Sequence, residues 1–244
     1  MELSGKIALV TGATGGIGGA TARLLAARGA RVVASGRDAQ RGEALVKEIT
    51  EAGGTARFVA ADLTDVASLR RLADEAGDVD ILVNNAALFP IAATTEQEPD
   101  SLDEAFAANV RAPYLLVAAL APAMAAKGSG SIVNVSTMAA RIGMPGLSTY
   151  SATKAALEAL TRTWAAEFSP AGVRVNTVAP GPTRTDMVML SMGEEGAAQV
   201  AGTTLLKRLA GPGEIAEVIG FLASDRAGFM TGATVAVDAG RTAI

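Results

Sequence analysis

Tyr150 and Lys154 stand four residues apart in the run Tyr150-Ser151-Ala152-Thr153-Lys154, at the head of a long helix-like stretch. Side chains at that spacing share one helix face, so a phenol and an ammonium project together. A cation beside a phenol favours its ionised form. A free tyrosine titrates near ~10, so acid–base work around neutral pH asks for a downward shift of roughly two to three units, about 3 to 4 kcal/mol. The pair predicts proton transfer by Tyr150 with Lys154 as its electrostatic partner. The same spacing also occurs on exposed helix faces that do no chemistry, so the rest of the chain decides its meaning.

Composition narrows the options. The 244 residues include no cysteine and no histidine, which excludes disulfides, a thiol nucleophile, a Cys/His zinc site and a Ser-His-Asp triad. No metal is expected, and proton transfer falls to Tyr, Lys, Asp or Glu. Net charge is -4 and the 21 Lys and Arg are scattered, so neither a nucleic-acid surface nor a polybasic membrane surface is expected. With 50% hydrophobic residues the chain can bury a large core. The start Met1-Glu2-Leu3-Ser4-Gly5-Lys6 has no basic leader, and the apolar run Ile7 to Val10 is too short for a signal peptide. A cytoplasmic location is expected. Tyr114 to Ala126 is the longest nearly apolar stretch and contains Pro122; it falls short of the ~20 residues of a bilayer span.

Short apolar runs alternate with longer Ala-rich segments. Strands are predicted at Ile7 to Val10, Val32 to Ala34, Phe58 to Ala60, Ile81 to Val83, Ile132 to Val135, Val173 to Val178 and Val235 to Val237. Helices are predicted at about 16 to 28, 39 to 52, 66 to 76, 101 to 127, 150 to 168 and 213 to 223. This rhythm predicts an α/β fold: one domain, 1–244, with a doubly wound, seven-stranded parallel sheet and helices on both faces. The segment 186–209 breaks the rhythm after a Pro-Gly turn and is rich in Met and Gly, which suits a substrate lid.

The first strand runs into Thr11-Gly12-Ala13-Thr14-Gly15-Gly16-Ile17-Gly18 and then a helix. Glycines permit a tight turn and close approach of backbone to a pyrophosphate, which the helix N-terminus attracts. Gly12, Thr14, Gly16, Ile17 and Gly18 are the candidate cofactor contacts here. About twenty residues on, the second strand ends in Ser35-Gly36-Arg37-Asp38. An acid at position 36 would serve the ribose hydroxyls of NAD; glycine stands there instead, and Arg37 can pair with a 2'-phosphate. NADP is the expected cofactor, with Asp38 keeping NAD in play. The glycine turn holds no basic residue, so this expectation rests on one cation.

Together, Thr11 to Gly18, Asn84-Asn85-Ala86-Ala87, Asn109 and Tyr150-x-x-x-Lys154 resemble the short-chain dehydrogenase/reductase family. The likeness covers nearly the whole chain and continues through Pro180-Gly181-Pro182-Thr183-Arg184-Thr185 and Thr231-Gly232 to Gly240, in the family's order. Leu206-Lys207-Arg208-Leu209 and Phe221-Leu222-Ala223-Ser224-Asp225 look most like 3-oxoacyl-carrier-protein reductases and related alcohol or sugar dehydrogenases.

The resemblance implies a Rossmann fold and reversible hydride transfer between NADP(H) and a carbonyl or secondary alcohol. An NAD-dependent alcohol, sugar or steroid dehydrogenase is the second reading, and a non-catalytic dinucleotide sensor a remote third. Tyr150 becomes the acid or base, and Lys154 lowers its pKa and binds the nicotinamide ribose. The family's catalytic hydroxyl, thirteen residues before the tyrosine, falls on Thr137, with Ser136 as runner-up. Asn109 bends its helix and holds a relay water toward Lys154. Asn84 and Ala86 wall the adenosine, with Ala87 where the family has glycine. Asp62 and Leu63 meet the adenine, although Asp62 or Thr64 could instead cap the next helix. Pro180, Gly181 and Thr183 meet the nicotinamide, and Thr185 the pyrophosphate. A small-molecule substrate and a homo-oligomer, tetramer or dimer, are implied, with the helices at 101 to 127 and 150 to 168 as contacts.

Overall fold

Apolar residues dominate the central strands because both faces of the sheet are covered. Successive side chains point to opposite faces: Leu9, Val33, Leu82, Ile132 and Val175 join one buried cluster, while Val10, Val32, Ile81, Val83 and Val133 join another on the far side. Each cluster holds 22 buried residues, so neither face is left to solvent, as an all-parallel sheet requires.

The computed structural model describes all 244 residues. Its strands are β1 (Ile7–Thr11), β2 (Arg31–Gly36), β3 (Thr55–Ala60), β4 (Ile81–Asn84), β5 (Gly130–Val135), β6 (Val173–Pro180) and β7 (Thr234–Val237). All are parallel, in the order β3-β2-β1-β4-β5-β6-β7. Chain direction of travel across the sheet reverses between β1 and β4. Helices α1 (Gly16–Ala27), α2 (Ala39–Glu51) and α3 (Val66–Ala76) follow the first three strands. The predicted helix at 101 to 127 is in fact α4 (Pro99–Phe106) and α5 (Ala112–Lys127), joined by a π-helical turn at Ala107–Arg111. This 29-residue stretch is long and apolar enough to cross a bilayer, yet half of its most apolar window is buried. Leu116, Val117, Leu120 and Met124 pack into the sheet's core.

Helix α6 (Ser148–Phe168) carries the Tyr150–Lys154 pair, and α8 (Pro212–Ala223) precedes β7. Segment 186–209, expected to break the rhythm, is largely helical: α7 spans Asp186–Gly202. It is interrupted at Gly193, whose φ of 64° is a left-handed value that glycine adopts without strain.

Ala239 has the same left-handed sign, with φ 54°, but carries a β-carbon. Its carbonyl accepts from Leu205 N at 2.9 Å, which holds the turn in place. Ala239→Gly should therefore stabilise the protein by about 1 kcal/mol and raise its melting temperature by ~2–4 °C. Calorimetry checks this; a lower melting temperature would mean that the methyl's packing outweighs the backbone strain.

Candidate active site

Where strand order reverses, the loops after β1 and β4 diverge and leave a crevice at the C-terminal edge of the sheet. A cleft of about 590 Å³ opens there. One end is walled by the glycine turn and the ends of β2 and β3, the other by Thr137, Tyr150, Phe89 and α7.

The turn is close-packed. A Cβ at Gly12 would meet Ala86 Cα at 2.8 Å, and one at Gly18 would meet the Gly12 carbonyl at 2.3 Å. Gly18 thus lets α1 approach the turn from beneath and does not line the cleft, whereas Gly12, Thr14, Gly16 and Ile17 do. Helix α1 has no side-chain cap and no acidic residue in its first turn, so its N-terminal amides and positive dipole end are open to an anion. These features fit the pyrophosphate of a dinucleotide.

At the end of β2, a Cβ on Gly36 would strike the Thr14 methyl at 2.7 Å. An acidic side chain there is sterically excluded while Thr14 keeps its place. Asp38 is committed elsewhere: it caps α2 by accepting from Arg41 N at 3.0 Å. Arg37 lines the cleft. Its charge helps hold the Asp62 carboxyl below its usual range, after the larger effects of hydrogen bonds from the Thr64 backbone and side chain. Neither Asp62 nor Thr64 caps α3; Asp65 does, accepting from Ala67 N and Ser68 N. Asp62 and Leu63 line the cleft beyond β3.

Asn84 departs from its expected place. Its side chain turns inward and donates to Asn134 Oδ1 at 2.8 Å, and it does not line the cleft. Asn85 does, with its Nδ2 donating to the carbonyls of Thr11 (2.9 Å) and Gly12 (3.2 Å). Successive residues at a strand end face opposite ways, a signal that the adjacent pair of asparagines carried but that did not say which faced in. Ala86 lines the cleft as expected.

Asn109 lies in the π-turn, wholly buried. Its Oδ1 accepts from Leu88 N (2.8 Å), and its Nδ2 donates to Leu88 O (2.9 Å) and Thr153 Oγ1 (3.0 Å). The side chain makes no hydrogen bond to Lys154: it ties the β4 loop to α6, one residue from Lys154. Asn109→Ala would leave these buried groups unpaired, costing about 3 kcal/mol and roughly 6–12 °C in melting temperature. An unshifted thermal transition would contradict this bracing role.

Ser136 and Thr137 diverge in the same way as the two asparagines. Ser136 continues the ladder, with its N donating to Val178 O, and turns its hydroxyl to buried Glu158 (2.8 Å). Glu158 also holds Arg141 at 3.5 Å. Thr137 accepts from Ala139 N (3.3 Å), and its hydroxyl lies on the cleft wall beside the Tyr150 phenol. Phe89 packs edge-on against the Tyr150 ring, centroids 4.6 Å apart. Lys154, 1% exposed, donates from Nζ to Val135 O at 2.8 Å and lies 5.8 Å from the Tyr150 ring centroid.

The expected lowering of the phenol pKa is not what this arrangement produces. Burial pushes Tyr150 up to about 12, and the neighbouring Thr137 hydroxyl opposes this only in part. Burial likewise pulls Lys154 down to about 8. With Nζ turned toward Val135, desolvation outweighs the attraction between the two groups. Spacing alone carries no information about burial.

On the far wall, Pro180, Gly181, Thr183 and Thr185 line the cleft beside Asp186, Met187, Val188 and Met192 of α7. Thr185 caps α7 by accepting from Val188 N (3.3 Å), and its methyl lies over Gly16. Arg41, which the sequence reading missed, also lines the cleft. Its signal was its place in the first turn after Arg37 and Asp38.

Dinucleotide-dependent oxidoreductases place the nucleotide over a glycine turn at the switch point and the proton-transfer group across from it; this chain has that organisation. Residues 12–242 match the sequence profile described as enoyl-(acyl carrier protein) reductase. Two curated relatives are similar along their whole length. Cis-4-hydroxycyclohexanecarboxylate dehydrogenase of Sinomonas cyclohexanicum is 41% identical over 98% of this chain and 97% of its own. The 3-oxoacyl-[acyl-carrier-protein] reductase of Vibrio harveyi is 37% identical over 98% of each. A solved short chain dehydrogenase/reductase family protein superposes with TM-score 0.95 at 55% identity, covering 100% of both chains. A blue fluorescent protein from a metagenomic library, in complex with NADPH, gives 0.91 at 36% identity over 99% of both. The chain belongs to the short-chain dehydrogenase/reductase family and is an enzyme of that kind.

Proposed function

We propose that this enzyme reduces a carbonyl to a secondary alcohol with NADPH, on an apolar substrate of the 3-oxoacyl kind. The observation that carries this reading is the cluster at the cleft floor: the Tyr150 phenol beside the Thr137 hydroxyl, backed by buried Lys154. NADPH supplies the hydride when bound. Thr137 and Tyr150 donate hydrogen bonds to the substrate oxygen, and Tyr150 gives up its proton as charge develops there. Lys154, with its ammonium close to the ring, stabilises the phenolate that remains. Burial, which raises the phenol pKa, keeps the proton on Tyr150 at neutral pH until charge develops on the substrate oxygen.

Arg37 supports NADPH over NADH, because no acid fits at position 36 and Asp38 is spent on its helix. Arg37→Asp should lower the ratio of NADPH to NADH catalytic efficiency by about 100-fold; an unchanged ratio removes Arg37 as the phosphate reader. Phe89, Ile91, Met144, Leu147, Met187 and Met192 make an apolar, adaptable lining. Segment 186–209 acts as the lid, with Gly193 as the break that lets its first turns move. NADPH oxidation against 3-oxoacyl thioesters, cyclic ketones and sugar ketones tests the substrate class, and turnover confined to sugars would overturn it.

Exposed Leu102, Phe106 and Tyr114 on α4 and α5 support a homo-oligomer built on these helices.

A further inference from the structure

The glycine turn has no basic side chain of its own, yet a guanidinium rests on it. Arg41, from the first turn of α2, lies so close over Gly15 that a Cβ there would meet its Nη2 at 2.6 Å. The cation fills the space into which any side chain at position 15 would project. Asp38 sets this geometry by capping α2 through Arg41 N. The charge of Arg37 acts on Asp62, and Gly36, beside Arg37 in the chain, packs against Thr14. All of them line the cleft.

The Arg41 guanidinium makes no protein hydrogen bond. Its partner is Asp186, the first residue of α7, at a loose 3.5 Å, with the two side chains 53% and 83% exposed. An exposed pair of this kind contributes little, so it yields readily to a stronger anion. A phosphate monoester brings nearly two charges and three acceptor oxygens, against one carboxylate at the limit of contact.

We propose, resting on the NADPH reading above, that Arg41 is a second specificity-determining cation for the 2'-phosphate, and that it exchanges Asp186 for that phosphate. Arg37 and Arg41 then match the phosphate's charge from two sides, while Asp186 opposes it.

Equilibrium binding, with no turnover, tests this. Dissociation constants are measured by calorimetry for NADPH, NADH, adenosine 2'-monophosphate and adenosine 5'-monophosphate. Arg41→Ala should weaken NADPH and the 2'-monophosphate about tenfold and leave NADH and the 5'-monophosphate nearly unchanged, while Arg41→Lys recovers part of the loss. Asp186→Asn should tighten the two 2'-phosphate ligands about threefold, and that gain should shrink in the double variant with Arg41→Ala. Equal weakening of NADPH and NADH by Arg41→Ala would make Arg41 a structural residue, and unchanged affinities in Asp186→Asn would remove the exchange. The two readings fail separately. A wild type that prefers NADH, with Arg37→Asp neutral, overturns the NADPH assignment. A preference for NADPH that Arg37→Asp reverses and Arg41→Ala leaves intact overturns only the role of Arg41.

Discussion

Tyr150→Phe should lower carbonyl reduction by about three orders of magnitude while leaving NADPH affinity nearly unchanged. The substitution removes one oxygen and keeps the ring, so the edge-on contact with Phe89 and the path of α6 survive. Only the proton donor beside Thr137 is lost. Its effect should appear in kcat rather than in cofactor binding, because the phenol proton is transferred only as the transition state forms. Stopped-flow turnover beside a fluorescence titration with NADPH separates the two quantities. Turnover within tenfold of wild type would show that another group, with Thr137 the first candidate, delivers the proton.

Lys154→Met is expected to have the second largest effect and to separate activity from stability. Turnover should fall by about a hundredfold or more, since the phenolate loses its neighbouring cation. Stability should behave otherwise. Lys154 is depressed to about 8 in the folded protein from its ordinary value near ~10.4. A depressed folded pKa contributes stability that is present above the unfolded value and is lost as pH falls through the folded one. Wild type should therefore gain stability as pH rises from about 8 toward about 10.5, on the order of 3 kcal/mol, and lack that contribution at pH 7.

Tyr150 acts in the opposite sense. Its folded pKa is raised to about 12, so its contribution is present below about 10 and disappears as pH rises to about 12. A stability maximum near pH 10 follows for this pair of groups. In Lys154→Met the rise above pH 8 should vanish, and stability at pH 7 should match or exceed wild type, offset by the loss of the bond to Val135 O. Chemical denaturation at pH 7, 8.5 and 10 measures both trends. A variant that retains the full alkaline rise would assign it to groups other than Lys154.

Much of this molecule is legible along the chain. All seven strands fall within a few residues of their apolar runs, because a sheet covered on both faces draws apolar residues to both sides of its strands. Helix boundaries were less legible. The π-turn at Ala107–Arg111 leaves no mark in hydrophobic spacing, since it arises where Asn109 reaches across to Leu88 and Thr153. Segment 186–209 looked irregular because its Gly and Met residues hide a helix whose apolar side faces the cleft in place of the core.

For the site, local pattern determined which residue types lie near one another: Tyr150 with Lys154 on one helix face, the glycine turn at the head of α1, and Arg37 at the end of β2. Helix and strand periods are local properties, written into a few consecutive residues. Direction and burial are not. Whether Asn84 or Asn85 faces the cleft, and whether Ser136 or Thr137 meets the phenol, depends on which side of the sheet the neighbouring elements occupy. Arg41 comes to Gly15 only because α2 packs where its cap directs it. The Tyr150 pKa moves opposite to expectation, and Lys154 falls, for the same reason: desolvation is set by everything packed around a group, and most of that is distant in sequence.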